Sequence, residues 1–255
     1  MLILHSILLG IVEGITEFLP ISSTAHLVLV SHLLQIIQTE FVKTFEISIQ
    51  FGAILAVLYL YWRDIFRNIE VVKRIAIAFI PTGIFGLIFY RILKNFLLDD
   101  TTLIIWAMIL GGILLIVFEK LHTEKGEVVA KLEEISYKQC LAIGTFQSLA
   151  IIPGVSRSAA TILGGLLLGL KRKTIVEFSF LLAVPTMLAA AGLDLAKTSA
   201  VFNSNDVIVL LIGFLVSFVV AVIAIKFLLD YIKKHDFTPF GIYRIIAGLV
   251  ILLVR

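Results

Sequence analysis

Six stretches of this chain, residues 45–62, 75–93, 101–118, 174–194, 206–229 and 239–254, are apolar over nearly the ~20 residues that a helix needs to cross a bilayer. A soluble fold of 255 residues cannot cover that much apolar surface. Hydrophobic residues make up 60% and charged residues 15%, with mean hydropathy +1.09, against ~45–50% and ~25% in soluble domains. The chain is predicted to be an all-α integral membrane protein. Its net charge of +3 is too small and too dispersed for nucleic acid. Cys140 is the only cysteine, which excludes an internal disulfide and a cysteine metal cluster, and it is expected as a small buried hydrophobe. The first apolar run, from Leu2, holds His5, Glu13 and Glu17 and lacks a basic start and a small-residue cleavage site, so no cleavable signal peptide is expected.

Two regions break the pattern of long spans. Residues 2–37 and 138–170 are each two shorter apolar stretches around a polar turn, Pro20-Ile-Ser-Ser-Thr and Pro153-Gly-Val-Ser-Arg-Ser. Non-helical backbone at membrane depth is tolerated only when protein covers it or water reaches it. Both regions therefore read as re-entrant hairpins. With six crossings, one face carries Lys43, Arg91, Lys94, Lys197 and Arg255. The other carries Arg63, Arg67, Lys73, Arg74, Lys120, Lys125, Lys131, Lys138, Lys171, Arg172, Lys173, Lys226, Lys233 and Lys234. The positive-inside rule makes the second face cytoplasmic and both termini extracytoplasmic. Only Arg157 and Arg244 stay within the membrane. The mixed charges from Glu119 to Lys138, among them Glu124, Lys125 and Glu127, read as a solvated cytoplasmic linker.

The two sides of that linker echo each other. Gly10-Ile-Val-Glu13 matches Gly144-Thr-Phe-Gln147, and Ser22-Ser-Thr-Ala25 matches Ser156-Arg-Ser-Ala159 at the same offset. Phe45-Glu-Ile-Ser-Ile and Val176-Glu-Phe-Ser-Phe follow the hairpins. Three long spans come after each hairpin, and an odd number inverts the second copy. The expected architecture is one membrane domain, 1–255, with an inverted-topology repeat. Each half is a re-entrant hairpin plus three transmembrane helices, residues 1–118 and 138–255, joined by the linker 119–137.

Charged groups at membrane depth cost ~2.5–3.5 kcal/mol each and need partners. Glu13 and Glu17 are spaced i, i+4 on one helix face. Two such carboxylates repel unless a cation joins them, and hard oxygen ligands suit Mg²⁺ or Ca²⁺. Pro20 stops the first half-helix. Ser22, Ser23 and Thr24 are placed to cap the second, whose N-terminus would face an anion. His26 lies within one turn of Ser23 and could reach a nucleophile or a leaving oxygen. From the second hairpin come Ser156, Ser158 and Thr161, with Arg157 as a phosphate clamp that cannot lose its charge. Gln147 joins the candidates because the repeat sets it opposite Glu13. Carboxylates, hydroxyls, an arginine and two half-helix N-termini make a phosphate site, and its depth favours a substrate whose lipid tail stays in the bilayer.

Glu13-Gly-Ile-Thr-Glu17-Phe-Leu-Pro-Ile-Ser-Ser-Thr-Ala-His26, with Pro153-Gly-Val-Ser-Arg-Ser158 and Phe51-Gly-Ala-Ile-Leu, resembles the undecaprenyl-diphosphatase, or bacitracin-resistance, family over essentially the whole chain. The resemblance implies hydrolysis of undecaprenyl (polyprenyl) diphosphate to the monophosphate and inorganic phosphate, recycling the lipid carrier for cell-wall synthesis in the cell membrane. It also implies a divalent cation and a site open to the extracytoplasmic face. Glu13 and Glu17 fall on the family's acidic motif, Ser23 and His26 on its hydroxyl-histidine part, and Arg157 on its arginine motif. Ala25 and Ala159 stand where the family commonly has glycine, a methyl added in what reads as a tight turn. One mechanism makes Ser23 the nucleophile with His26 as proton partner and Glu13 and Glu17 on the metal. Another uses a metal-bound water with Glu17 as base. Partners are the lipid substrate and membrane lipids, and a homodimer stays open as an assembly.

The main rival is a lipid flippase or secondary transporter, which would bind the same head without cleaving it. His5, His32, His122 and His235 lack companions at useful spacing. Lys171-Arg-Lys173 reads as a topology signal, and Glu46 and Glu177 as acids at helix starts. Arg244 is expected to pair with an acid such as Asp230 or Glu177, or to snorkel.

Overall fold

The computed structural model describes residues 1–92, 100–122, 129–195 and 204–254. Lys94, Glu124, Lys125, Glu127, Lys197 and Arg255, and the side chain of Arg91, lie outside the described residues. Leucine, isoleucine and alanine runs form helices throughout, and a single backbone bridge, Val129 to Leu170, stands in for any sheet among those residues.

The first hairpin is α1 (Ile3–Thr16) and α2 (Ser23–Leu33); α3 (Glu40–Leu60), the short α4 (Trp62–Arg67), α5 (Ile69–Ile92) and α6 (Thr101–Leu121) follow. The second hairpin is α7 (Tyr137–Ser148) and α8 (Arg157–Leu167), followed by α9 (Arg172–Leu195), α10 (Ser204–Tyr231) and α11 (Thr238–Val254). At ~1.5 Å per residue, the 14, 11, 12 and 11 residues of the hairpin helices fall short of a ~30 Å hydrocarbon core. Five helices, α3, α5, α6, α9 and α10, are long and apolar enough to cross a membrane. The chain is an all-α, multi-pass membrane protein. The sixth expected span, 239–254, is α11, a shorter apolar helix of 17 residues.

Contacts between helices are reciprocal. α10 packs along α1 and α3, α5 packs along α7 and α9, and α6 pairs with α11. The largest buried cluster surrounds the hairpin tips and includes Phe18, Phe178 and Phe180, with Phe18 and Phe180 edge to face at 5.4 Å. Cys140 is fully buried in it, as expected.

Among the described charges of the polar segment, Lys131, Glu133, Glu134 and Lys138 are exposed, but Glu119, which falls in α6, is not. Glu119, counted at its start, is only 3% exposed; it accepts from the Arg172 guanidinium and from Phe237 N at 3.0 Å. Arg172, expected as a topology charge, is thereby a structural partner whose guanidinium also lies over the Phe237 ring. A carboxylate at a helix end and an arginine at a helix start close the same seam, which net charge cannot reveal. Glu46 and Glu177 are likewise not at helix starts, since α3 begins at Glu40 and α9 at Arg172. Both lie beyond the first turn, where the dipole argument ends.

Candidate active site at the two hairpin turns

Each hairpin turns at a serine with left-handed backbone: Ser22 at φ 73° and Ser156 at φ 76°. The strained positions are thus the serines. Ala25 and Ala159, expected in tight turns, are buried third residues of α2 and α8 in ordinary helix. Ser156 caps α8, its Oγ accepting from Ala159 N at 3.2 Å. Ser22 makes no such bond in α2, so the expected hydroxyl cap there is absent and the first N–H groups of α2 stay open toward an anion.

What the turns bring together is a bond network 140 residues apart in sequence. Glu17 Oε1 accepts from Arg157 Nη2 at 2.9 Å, with the side chains 9% and 10% exposed. Glu17 Oε2 accepts from Ser23 Oγ at 2.5 Å. Arg157 also donates from Nη1 to Ser179 O at 2.8 Å and lies 5.7 Å over the Phe18 ring. Its Nε is buried and has no acceptor. Ser158 Oγ donates to Phe18 O at 2.9 Å, tying one tip to the other. Thr161 bonds Ser179 Oγ at 2.6 Å and so backs the arginine from behind. With aromatic rings around it, this ion pair sits in low dielectric, where removing one partner typically costs ~3–5 kcal/mol.

Glu13 lies one turn before Glu17, fully buried, and neither of its carboxylate oxygens has a hydrogen-bond partner. Glu17, Glu46 and Arg157 are all within electrostatic reach of it. Among the described residues no group of three histidine, cysteine, aspartate or glutamate side chains could hold a metal.

The remaining candidates divide. His26 is buried, and both ring nitrogens are engaged: Nδ1 with Ser22 O at 2.7 Å and Nε2 with the Tyr243 hydroxyl at 2.7 Å. Ser23 therefore meets Glu17 rather than His26. Gln147 donates to Thr82 and Thr186 at 2.8 and 3.0 Å, and its Oε1 is buried without a partner. Thr24 is exposed and makes no hydrogen bond to Glu17, Ser23, His26 or Arg157 among the described residues.

Among the described residues Arg244 pairs with no acid, and it does not snorkel. Fully buried, it donates to five backbone carbonyls: Pro20, Gly154, Val155, Ala107 and Met108, at 2.9–3.2 Å. The first three belong to the hairpin turns, where broken helices leave carbonyls without intrahelical donors. One guanidinium on α11 thus fastens both turns to α6. Its signal in the sequence is an arginine inside an apolar span with no acid three or four residues away. Tyr243 carried no such signal.

The family model for bacitracin resistance protein BacA matches residues 6–250. The chain belongs to this family. Similar members are undecaprenyl-diphosphatases of Sulfurihydrogenibium sp. (strain YO3AOP1), 53% identical over 97% of each chain, and of Wolinella succinogenes, 52% identical over 98% of this chain and 97% of the other. That of Aquifex aeolicus (strain VF5) is 51% identical over 96% of each.

Proposed function

We propose that this family member hydrolyses undecaprenyl diphosphate within the cell membrane, releasing undecaprenyl phosphate for reuse in cell-wall synthesis and inorganic phosphate. Carriage without cleavage, the transporter reading, gains nothing from relatives that are named diphosphatases. The observation that carries the chemistry is one carboxylate, Glu17, held by the Arg157 guanidinium while it accepts the Ser23 hydroxyl proton.

Ser23 Oγ attacks the terminal phosphorus and passes its proton to Glu17. The bond from that phosphorus to the bridging oxygen breaks, and undecaprenyl phosphate leaves. Water then attacks the phosphoserine, freeing inorganic phosphate and restoring Ser23. Arg157 Nε, buried and without an acceptor, is a ready donor to a phosphoryl oxygen, and the open N-terminus of α2 adds backbone donors. Glu13 and Glu17 would hold a divalent cation, Mg²⁺ or Ca²⁺. The unpartnered oxygens of Glu13 fit that role, and two carboxylates completed by substrate oxygens is the usual manner of Mg²⁺. When bound, the ion neutralises diphosphate charge. An apolar cavity of about 350 Å³ beside the site, bounded by Ile15, Leu19, Phe227 and Tyr243, would take only the isoprene units nearest the head, leaving the rest of the prenyl chain to the bilayer.

The halves form an inverted repeat meeting at the hairpin turns, with both termini extracytoplasmic. Three matched details support this reading. Ser22 and Ser156 share one unusual backbone geometry. The α1–α10 pairing corresponds to α7–α5 when the halves are exchanged. Gly10 and Gly144 each admit a partner backbone, Gly213 O and Ala78 O, where a Cβ would collide. Protein purified in detergent is expected to release phosphate from undecaprenyl diphosphate, with the activity lost in Glu17→Gln and in Arg157→Ala. Failure of the unaltered protein to release phosphate would overturn the reading.

A further inference from the structure

His26 is one of the few groups near the turns whose orientation is settled from both ends. Its Nδ1 lies 2.7 Å from Ser22 O, and a carbonyl oxygen only accepts, so Nδ1 carries a proton. In the neutral imidazole, Nε2 is then the acceptor. The atom facing it is the Tyr243 hydroxyl, 2.7 Å away, with the two rings only 4° from parallel. That hydroxyl must donate. Tyr243 precedes Arg244 on α11, so the same turn of helix that clamps the hairpin carbonyls also presents a phenol to the imidazole.

We infer that Tyr243 is the positioning residue of His26: its hydroxyl donates to Nε2 and, with Ser22 O on Nδ1, holds the imidazole in one tautomer and one orientation beside the first hairpin turn. Three features support this over simple packing. The hydroxyl has a directional partner, where an apolar ring would fill the same space. Ser22 O, the other anchor, belongs to the strained turn residue, so imidazole and turn are held in register together. Without the phenol, Ser22 O would be the ring's one anchor among the described residues and the buried Nε2 would face no donor. The inference rests on the diphosphatase reading only for its kinetic arm.

Tyr243→Phe keeps the ring and removes the donor. It is expected to lower kcat for undecaprenyl diphosphate about fivefold to twentyfold, with KM unchanged, the size of one hydrogen bond. The loss is expected to vanish in a His26→Ala background, because the tyrosine acts through that ring. In ¹⁵N spectra of protein labelled at histidine, the His26 Nε2 resonance should move in Tyr243→Phe while the melting temperature stays within a few degrees. An unchanged His26 resonance overturns the inference, as does an equal kcat loss with and without His26. If the unaltered protein released no phosphate, the spectra would still decide Tyr243 while the diphosphatase reading fell separately.

Discussion

Among the described residues, Glu13 is fully buried with no donor to either carboxylate oxygen. A carboxylate in that position requires a cation or a proton. Added Mg²⁺ should therefore raise the melting temperature of the unaltered protein, worth ~2.7 kcal/mol at a hundredfold excess over the dissociation constant. Glu13→Gln should melt no lower than the parent without metal, fail to respond to Mg²⁺, and lose at least ~100-fold in phosphate release. A Mg²⁺ response that survives this substitution removes Glu13 from the metal site. Arg244 presents the opposite case, a charge with every donor direction used. Arg244→Met strands five carbonyls and is expected to cost at least ~3 kcal/mol, read as a lowered melting temperature. Acids and Arg157 were legible because a charge in an apolar run always asks for a reason. The role of Arg244 was not, because its partners are backbone oxygens freed by two distant turns. Nor was the Ser23–Glu17 bond, since spacing puts His26, within one helical turn, closer to Ser23 than Glu17 on the other side of the break.

At the level of elements, both hairpins were visible as apolar runs interrupted by proline, and both form as pairs of short helices around a turn. Their detail differs through one bond. Ser22 and Ser156 adopt nearly the same left-handed backbone, a conformation costing ~1–2 kcal/mol for any residue with a Cβ. Ser156 offsets part of that by capping α8; Ser22 makes no capping bond in α2. Ser22→Gly is accordingly expected to stabilise the protein by up to ~1 kcal/mol. Ser156→Gly should be near neutral, losing a cap worth ~1 kcal/mol while gaining the same relief. Thermal melts of the two variants give the comparison; equal shifts would mean the turns are not distinguished by their caps. Element ends were harder to read. Composition placed the last span, 239–254, within one residue of α11, but it took Glu119 for linker because sequence does not show that Arg172 and Phe237 N close on it.

Across the whole molecule, the proposed inverted repeat has the hairpins that carry Glu17 and Arg157 enter from opposite faces and meet at one depth. The charge count supports that proposal, with few lysines and arginines beside the first hairpin and many beside the second. Reciprocal packing of α1 on α10 and α7 on α5 agrees with such an exchange. The consequence can be tested without substrate. In a Cys140→Ala background, single cysteines replacing Lys43, near the exit of the first hairpin, and Lys171, at the exit of the second, should differ in access. A membrane-impermeant thiol reagent applied to intact cells is expected to label position 43 and to reach position 171 only after lysis. Labelling of both from outside would place the hairpins on one face. The inverted repeat would then fall, while the Glu17–Arg157 contact, which two hairpins entering from one face could also make, would stand.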